Sequence, residues 1–263
     1  MLIDFHTHFF PDKIAKDSCD KLANIAKVTY YGDGALNGLL SFMKEDGVNI
    51  SVNQPVATKP EQVQAINRKM AELNRSNKSI VNFGAMHPVF EGIEEEIEFL
   101  RLSGIRGIKL HPEYQQFCPE EKRMRKLYEA CAANNIAILF HSGVDLGYDT
   151  VHCLPKSAAE LLKIKGLTVI FAHMGAYRMW NDVEKLLAGK NCYFDTAYCN
   201  EMDNSQLKRM ILDHGSDKIL FGSDFPWERA GVMKKKLDAL GLPQSDLDNI
   251  YFKNASKLLG ITI

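Results

Sequence analysis

The residues that can do chemistry begin almost at once. Met1-Leu2-Ile3-Asp4-Phe5-His6-Thr7-His8 is a short apolar run closing on His-x-His. In an extended strand, side chains two apart point to the same side, so His6 and His8 can offer two imidazoles to one metal ion. Two close histidines alone are a weak signal, because ordinary polar loops also produce them. Other runs repeat the arrangement, however: Ile136-Ala137-Ile138-Leu139-Phe140 stops at His141, Leu167-Thr168-Val169-Ile170-Phe171-Ala172 at His173, and Lys218-Ile219-Leu220-Phe221-Gly222-Ser223 at Asp224. Each is a β-prone stretch that ends on a group able to ligate a metal or move a proton.

Such groups need a frame that brings strand ends together. Short β-rich runs recur near 2–6, 48–56, 80–86, 105–110, 136–140, 167–172, 192–195 and 218–222, most of them near-continuously apolar, as strands covered on both faces are. Helical segments over 60–76, 91–103, 119–134, 155–165, 178–188, 203–214 and 229–240 lie between them, with Pro60 and Pro119 at two of the starts. This alternation in 263 residues predicts an α/β fold, a (β/α)8 TIM barrel, as a single domain over 1–263. A doubly wound open sheet is the competing arrangement. One ion can collect groups from the first, fifth, sixth and eighth strands only if the sheet closes.

Residues 12–46 exceed what one crossover needs and hold amphipathic runs at 13–27 and near 35–46. They read as a segment inserted after strand 1 over the barrel mouth, with Phe9, Phe10 and Pro11 as apolar wall above the ion. Residues 243–260 begin with Pro243 and the candidate caps Ser245-Asp246, and read as C-terminal helices closing the outer ring.

Composition excludes several classes. A net charge of -1, with Lys and Arg dispersed among acids, leaves no basic field for nucleic acid or anionic lipid. No apolar run approaches the roughly 20 residues of a membrane span, and a strand starting at residue 2 leaves no room for a signal peptide. A cytoplasmic protein is expected. Cys19, Cys118, Cys131, Cys153, Cys192 and Cys199 form no Cys-x-x-Cys pair and read as reduced, mostly buried thiols. There is no Gly-x-Ser-x-Gly elbow and no Walker lysine, and Gly32-Asp33-Gly34 followed by Gly38 has the wrong spacing for a dinucleotide fold.

His6-Thr7-His8, Phe140-His141, Ala172-His173-Met174-Gly175 and Gly222-Ser223-Asp224-Phe225-Pro226-Trp227 together resemble the metal-site motifs of the amidohydrolase superfamily. The nearest branch is the amidohydrolase-2 group, which includes aminocarboxymuconate-semialdehyde decarboxylase and related aromatic-acid decarboxylases. The resemblance spans the chain and implies that His6, His8, His141 and Asp224 ligate one divalent ion, with zinc expected, while His173 acts as an acid/base or carbonyl-polarising group. Imidazole and carboxylate suit zinc, and a catalytic zinc keeps a position for a water whose pKa it lowers toward about 7. Asp224 could accept the proton that this water loses. Two-metal members place a carboxylated lysine or a glutamate at the fourth strand end. Here that strand reads Gly107-Ile108-Lys109-Leu110-His111-Pro112-Glu113, and a single metal is favoured.

The remaining histidines weigh less. His111 and His87 end strands and are evenly balanced between site and loop roles, whereas His152 and His214 read as ordinary loop and helix-end residues. Substrate contacts fall to the βα loops, above all His111, Lys109, Arg178 and Trp227, with Tyr114, Tyr148, Tyr198 and Arg229 nearby. A carboxylate-bearing substrate needs such a cation. The expected activity is metal-dependent hydrolysis of an amide, ester or lactone. The alternative is decarboxylation of an unsaturated or aromatic acid. The expected partner is a small molecule, with room for a homodimer.

Overall fold

The computed structural model describes residues 1–262. Its strands are β1 (Ile3–Thr7), β2 (Ile50–Asn53), β3 (Ile80–Asn82), β4 (Gly84–Ala85), β5 (Gly107–Leu110), β6 (Ala137–Phe140), β7 (Val169–Phe171), β8 (Tyr193–Asp195) and β9 (Ile219–Leu220). All pair in parallel, in the orders β1-β2-β3 and β4-β5-β6-β7-β8-β9.

The predicted strand over 80–86 is split at Phe83. The Phe83 ring meets Phe5 edge-on at 5.5 Å, and a Cβ on Gly107 would lie 2.3 Å from that ring, so the glycine makes the room the phenyl fills. The Phe83 amide donates to the Asn53 carbonyl at 3.0 Å, so β3 and β4 act as one stave and nine segments make eight. The last stave returns to the first: Phe5 N donates to Phe221 O at 2.7 Å and Asp224 N to His6 O at 2.8 Å. Lys109 on β5 reaches His6 on β1 at 3.1 Å. In an eight-stave ring those two strands stand three places apart, and their side chains touch only across a closed interior.

The helices are α1 (Ala15–Ala26), α2 (Leu36–Asp46), α3 (Val63–Ser76), α4 (Ile93–Leu102), α5 (Pro112–Gln115), α6 (Arg125–Ala133), α7 (Pro155–Leu161), α8 (Trp180–Leu186), α9 (Asn204–His214), α10 (Ala230–Asp238), α11 (Gln244–Asp248) and α12 (Asn254–Leu259). Helix α3 shows why these stretches form helices: Val63, Asn67, Met70 and Ala71 are buried at helical spacing while the rest of the surface is polar. Helix α9 starts where the Asp203 carboxylate accepts from the amides of Ser205 and Gln206. The C-terminal helices are present, but Ser245-Asp246 do not cap them. Pro243 holds the cap position, and Asp246 accepts from Ser216 Oγ at 2.7 Å.

Apolar side chains divide into two clusters. Ile3, Phe5, Val52, Phe83, Leu139, Ile170 and Leu220, from staves all round the ring, fill the interior, whereas Ile108, Leu110, Ile138, Phe140, Val169 and Phe171 pack outward against the helices. Helix α2 of the insertion joins that outer ring. Arg229, at the start of α10, forks onto Asp46 at 2.6 Å and Glu45 at 3.0 Å with its guanidinium 4.6 Å from the Phe42 ring, which ties it to the insertion. Among the described residues, no helix is long and apolar enough to cross a membrane. All six cysteines are free thiols, and five are buried.

Candidate metal centre

At the carboxyl ends of the staves, β1 delivers His6. A regular pleat would send neighbours Phe5 and His6 to opposite faces, yet both reach the interior. The pairing of β1 with β2 shifts register between Asp4 and Thr7, which re-aims the side chain. Gly222 clears the path: a Cβ there would sit 3.0 Å from that of His6.

Three ligand atoms then converge. His8 Nε2 lies 3.2 Å from Asp224 Oδ1, and His6 Nε2 lies 3.5 Å from the same oxygen. Ligands at 2.0–2.2 Å from a tetrahedral zinc stand about 3.4 Å apart, so the set has the spacing of three ligands on one ion. The hydrogen bonds behind them point the same way. His6 Nδ1 donates to Asp195 Oδ2 at 2.7 Å, and His8 Nδ1 to the Gln54 carbonyl at 2.9 Å. With Nδ1 so committed, each imidazole turns its Nε2 toward the centre, as metal-binding histidines do. Burial, with the Lys109 charge next in effect, pushes the His6 pKa well below its usual value, so Nε2 carries no proton of its own and faces Lys109 Nζ at 3.1 Å. Burial alone would raise the Asp224 carboxyl, but His6 and the His8 hydrogen bond outweigh it and hold Asp224 below the usual carboxylate range. Asp224 also adopts φ +75°, a conformation uncommon for a residue with a side chain, which aims its carboxylate at the pair.

Lys109 is fully buried with its Nζ 3.1 Å from His6 Nε2, and burial lowers its pKa to about 8 against the opposing pull of Asp195, Asp224, Glu113 and Asp145. His173, at φ +61°, donates from Nδ1 to the Ala197 carbonyl at 2.9 Å; its ring lies 5.4 Å from that of His6 and its Nε2 lies 3.1 Å from His141 Nδ1. His141, expected on the same ion as His6, stands outside the ligand spacing of that triad. Its Nε2 faces Asp145 Oδ2 at 3.9 Å, and its ring stacks on His111 at 4.3 Å.

A cavity of about 380 Å³ is lined in part by Ala26, Lys27, Val28, Tyr177, Arg178 and Tyr198, and by none of the residues just described. The end of α1 thus borders this cavity. Tyr177 carries the contact inward, its ring 6.0 Å from His173 and 5.7 Å from Tyr198. Arg178 lines this cavity but is clamped bidentately by Glu201 at 2.6 and 2.8 Å. Trp227 packs edge-on to Tyr30 at 6.4 Å, joining the barrel rim to the insertion. His87 stays out of the ligand groups, and His214 donates to the Cys192 carbonyl at 2.9 Å beneath Phe194.

Asp195 was missed in the sequence, although it ends its β run as Asp224 does. Besides holding His6, its carboxylate accepts from the His173 amide at 2.9 Å, tying two site residues together. Asp145, four residues beyond His141 in a loop, gave no periodic signal at all.

The family model for amidohydrolases matches residues 3–261. The chain belongs to the amidohydrolase family. Among solved structures of this fold, 5-carboxyvanillate decarboxylase from Sphingomonas paucimobilis is similar at TM-score 0.75 and 14% identity, covering 99% of each chain. A dihydroxybenzoic acid decarboxylase from a Polaromonas species, with bound manganese and an inhibitor, gives 0.71 and 15%, covering 99% of this chain and 97% of the other. A probable 2-pyrone-4,6-dicarboxylic acid hydrolase from Acinetobacter baumannii gives 0.69 and 15%, covering 98% and 99%. At these identities the likeness establishes the barrel. A search of curated proteins finds no match to the sequence.

Proposed function

We propose that this amidohydrolase-family protein is a metal-dependent decarboxylase of an aromatic or unsaturated carboxylic acid, with His6, His8 and Asp224 holding its divalent ion. The observation that carries the reading is the meeting of two imidazole lone pairs and one carboxylate oxygen at ligand spacing, with His173 beside them. The decarboxylases that share the fold favour this chemistry over hydrolysis. Zinc suits the donor set, and so does manganese, which the Polaromonas enzyme binds.

When bound, the ion supplies Lewis acidity to a substrate carboxylate or hydroxyl oxygen. The chain's own groups do the rest. Losing carbon dioxide requires a proton on the carbon that carries the carboxyl group; the carbon–carbon bond then breaks and its electron pair returns to the unsaturated system. His173 is assigned to that proton: with Nδ1 committed to the Ala197 carbonyl, Nε2, which faces His141 Nδ1 at 3.1 Å, is the atom that takes one up and delivers it. The buried Lys109 ammonium adds positive charge where a carboxylate must be held. The Tyr177 and Tyr198 rings give the cavity flat walls against an aromatic acid.

Hydrolysis is the second reading, favoured by three protein ligands, the number that leaves a catalytic zinc a position for water. Incubating the metal-loaded protein with hydroxybenzoates, carboxylated methoxyphenols and pyrone dicarboxylates separates the two. The expected result is carbon dioxide from an aromatic acid, abolished by His173→Asn. Lactone or amide opening without carbon dioxide would overturn the proposal.

A further inference from the structure

One buried acid of β1 takes no part in the chemistry proposed above. Asp4 faces outward, beneath the insertion, in a pocket walled by Leu39, Phe42 and Met43 of α2 together with Phe225. A carboxylate taken out of water needs donors, and those that Asp4 has belong to the backbone on which the ion depends. Its Oδ1 accepts from the Ser223 amide at 2.9 Å and from the His6 amide at 3.3 Å, and its Oδ2 accepts from Ser223 Oγ at 2.5 Å. Ser223 Oγ accepts in turn from the Phe225 amide at 3.0 Å. An amide can only donate, so the single hydroxyl proton of Ser223 is directed at Asp4.

These bonds hold Asp224 from both sides. The residue before it is tied to Asp4 by amide and hydroxyl, the residue after it is tied to the same hydroxyl, and its own amide donates to His6 O at 2.8 Å. Asp224 stands between them at φ +75°, a conformation that a residue with a Cβ keeps only where its surroundings impose it. We infer that Asp4 is a positioning residue for the metal ligand Asp224: without touching the ion, it holds the 223–225 turn in the shape that aims the Asp224 carboxylate at His6 and His8. Helix α2 keeps water, a competitor for these hydrogen bonds, away from them, so the insertion serves the metal centre through its outer face. The inference rests on the triad of the proposed function and gives its geometry a cause on the far side of β1.

Cobalt binding tests this without recourse to turnover. The full chain is stripped by chelator and titrated with cobalt(II), whose visible d–d bands report the ligand geometry, while thermal unfolding of the stripped protein reports stability separately. Asp4→Asn keeps the shape but puts a donor where an acceptor oxygen stood, and Ser223→Ala removes the hydroxyl that joins Asp4 to Phe225. Each should bind cobalt at least about tenfold more weakly than wild type, with altered bands. The double variant should be no weaker than the weaker single one, because both residues act through one path. Ser51→Ala, whose hydroxyl lines the same pocket without a hydrogen-bond partner, should bind as wild type does. If Asp4→Asn does not fold, Ser223→Ala carries the test. Wild-type affinity and bands in both variants, with only the unfolding temperature lowered, overturn the inference and leave Asp4 a packing residue, and so does a double variant whose losses add. His8→Ala tests the reading beneath it and should lose the cobalt. Cobalt held in full by His8→Ala removes the triad and this inference with it, whereas loss there beside wild-type binding in Asp4→Asn and Ser223→Ala overturns the inference alone.

Discussion

His6 and His8 owe their usefulness to what holds their far sides. Asp195 and the Gln54 carbonyl take the Nδ1 protons, so both Nε2 lone pairs are aimed before any ion arrives. Asp195→Asn should therefore weaken metal binding about 10–100-fold, measured by competition with a chelating dye, although Asp195 never touches the ion. An unchanged affinity would reduce Asp195 to a packing residue. His173→Asn should lower turnover by about 10²–10⁴-fold with metal content near wild type. His6→Ala should lose the metal itself, and equal metal loss in the two variants would make His173 a ligand. His6, His8 and Asp224 were legible because each closes a strand run. Asp195 also closes one, but an acid alone at a strand end reads like any other, and its meaning lies in a contact across 189 residues of chain. Lys109 was expected to meet the substrate, whereas its contact with His6 depends on the closure of the barrel.

Secondary-structure elements were legible where a period repeats often enough. Helices α3 and α9 follow their patterns, while α5, over only Pro112–Gln115, is too short to have one, and the break between β3 and β4 comes from the packing of Phe83 against Phe5. The insertion proved to have two roles: α2 braces the outer ring, and the end of α1 borders the cavity. Lys27→Ala with Val28→Ala should raise KM more than it lowers kcat while metal stoichiometry stays at the wild-type value, as steady-state kinetics and elemental analysis would show. Unchanged kinetics would make α1 a brace as well. At the end of α9, His214 donates to Cys192, accepts from the Gly189 amide at 3.2 Å and is lowered by burial to about 4. The unfolded chain takes up that proton near pH 6.5 and the folded one refuses it, so the His214 contribution is complete above pH 6.5. It is lost as pH falls toward 4, by on the order of 3 kcal/mol. Urea midpoints for wild type and His214→Gln between pH 7 and 4.5 should show a shallower acid-side decline in the variant. Parallel declines would contradict this account of His214.

Closure of the barrel was legible in the sequence through its ligands, since an open sheet cannot bring the first and eighth strand ends together. The hydrogen bonds from Phe5 N to Phe221 O and from Asp224 N to His6 O join those two staves. Which ring nitrogen faces which carboxylate was not legible, because it is set by carbonyls and carboxylates brought in from other staves. The molecule as a whole should depend on its ion for chemistry more than for folding: chelation should abolish turnover, restored by zinc or manganese, and leave the circular dichroism spectrum unchanged. Loss of secondary structure on chelation would make the ion a structural one. The most direct test of the triad is a crystal structure of the zinc-loaded protein with an anomalous map at the zinc edge. The account predicts a peak 2.0–2.2 Å from His6 Nε2, His8 Nε2 and an Asp224 oxygen. With zinc saturating, the absence of a peak at those three residues would contradict it.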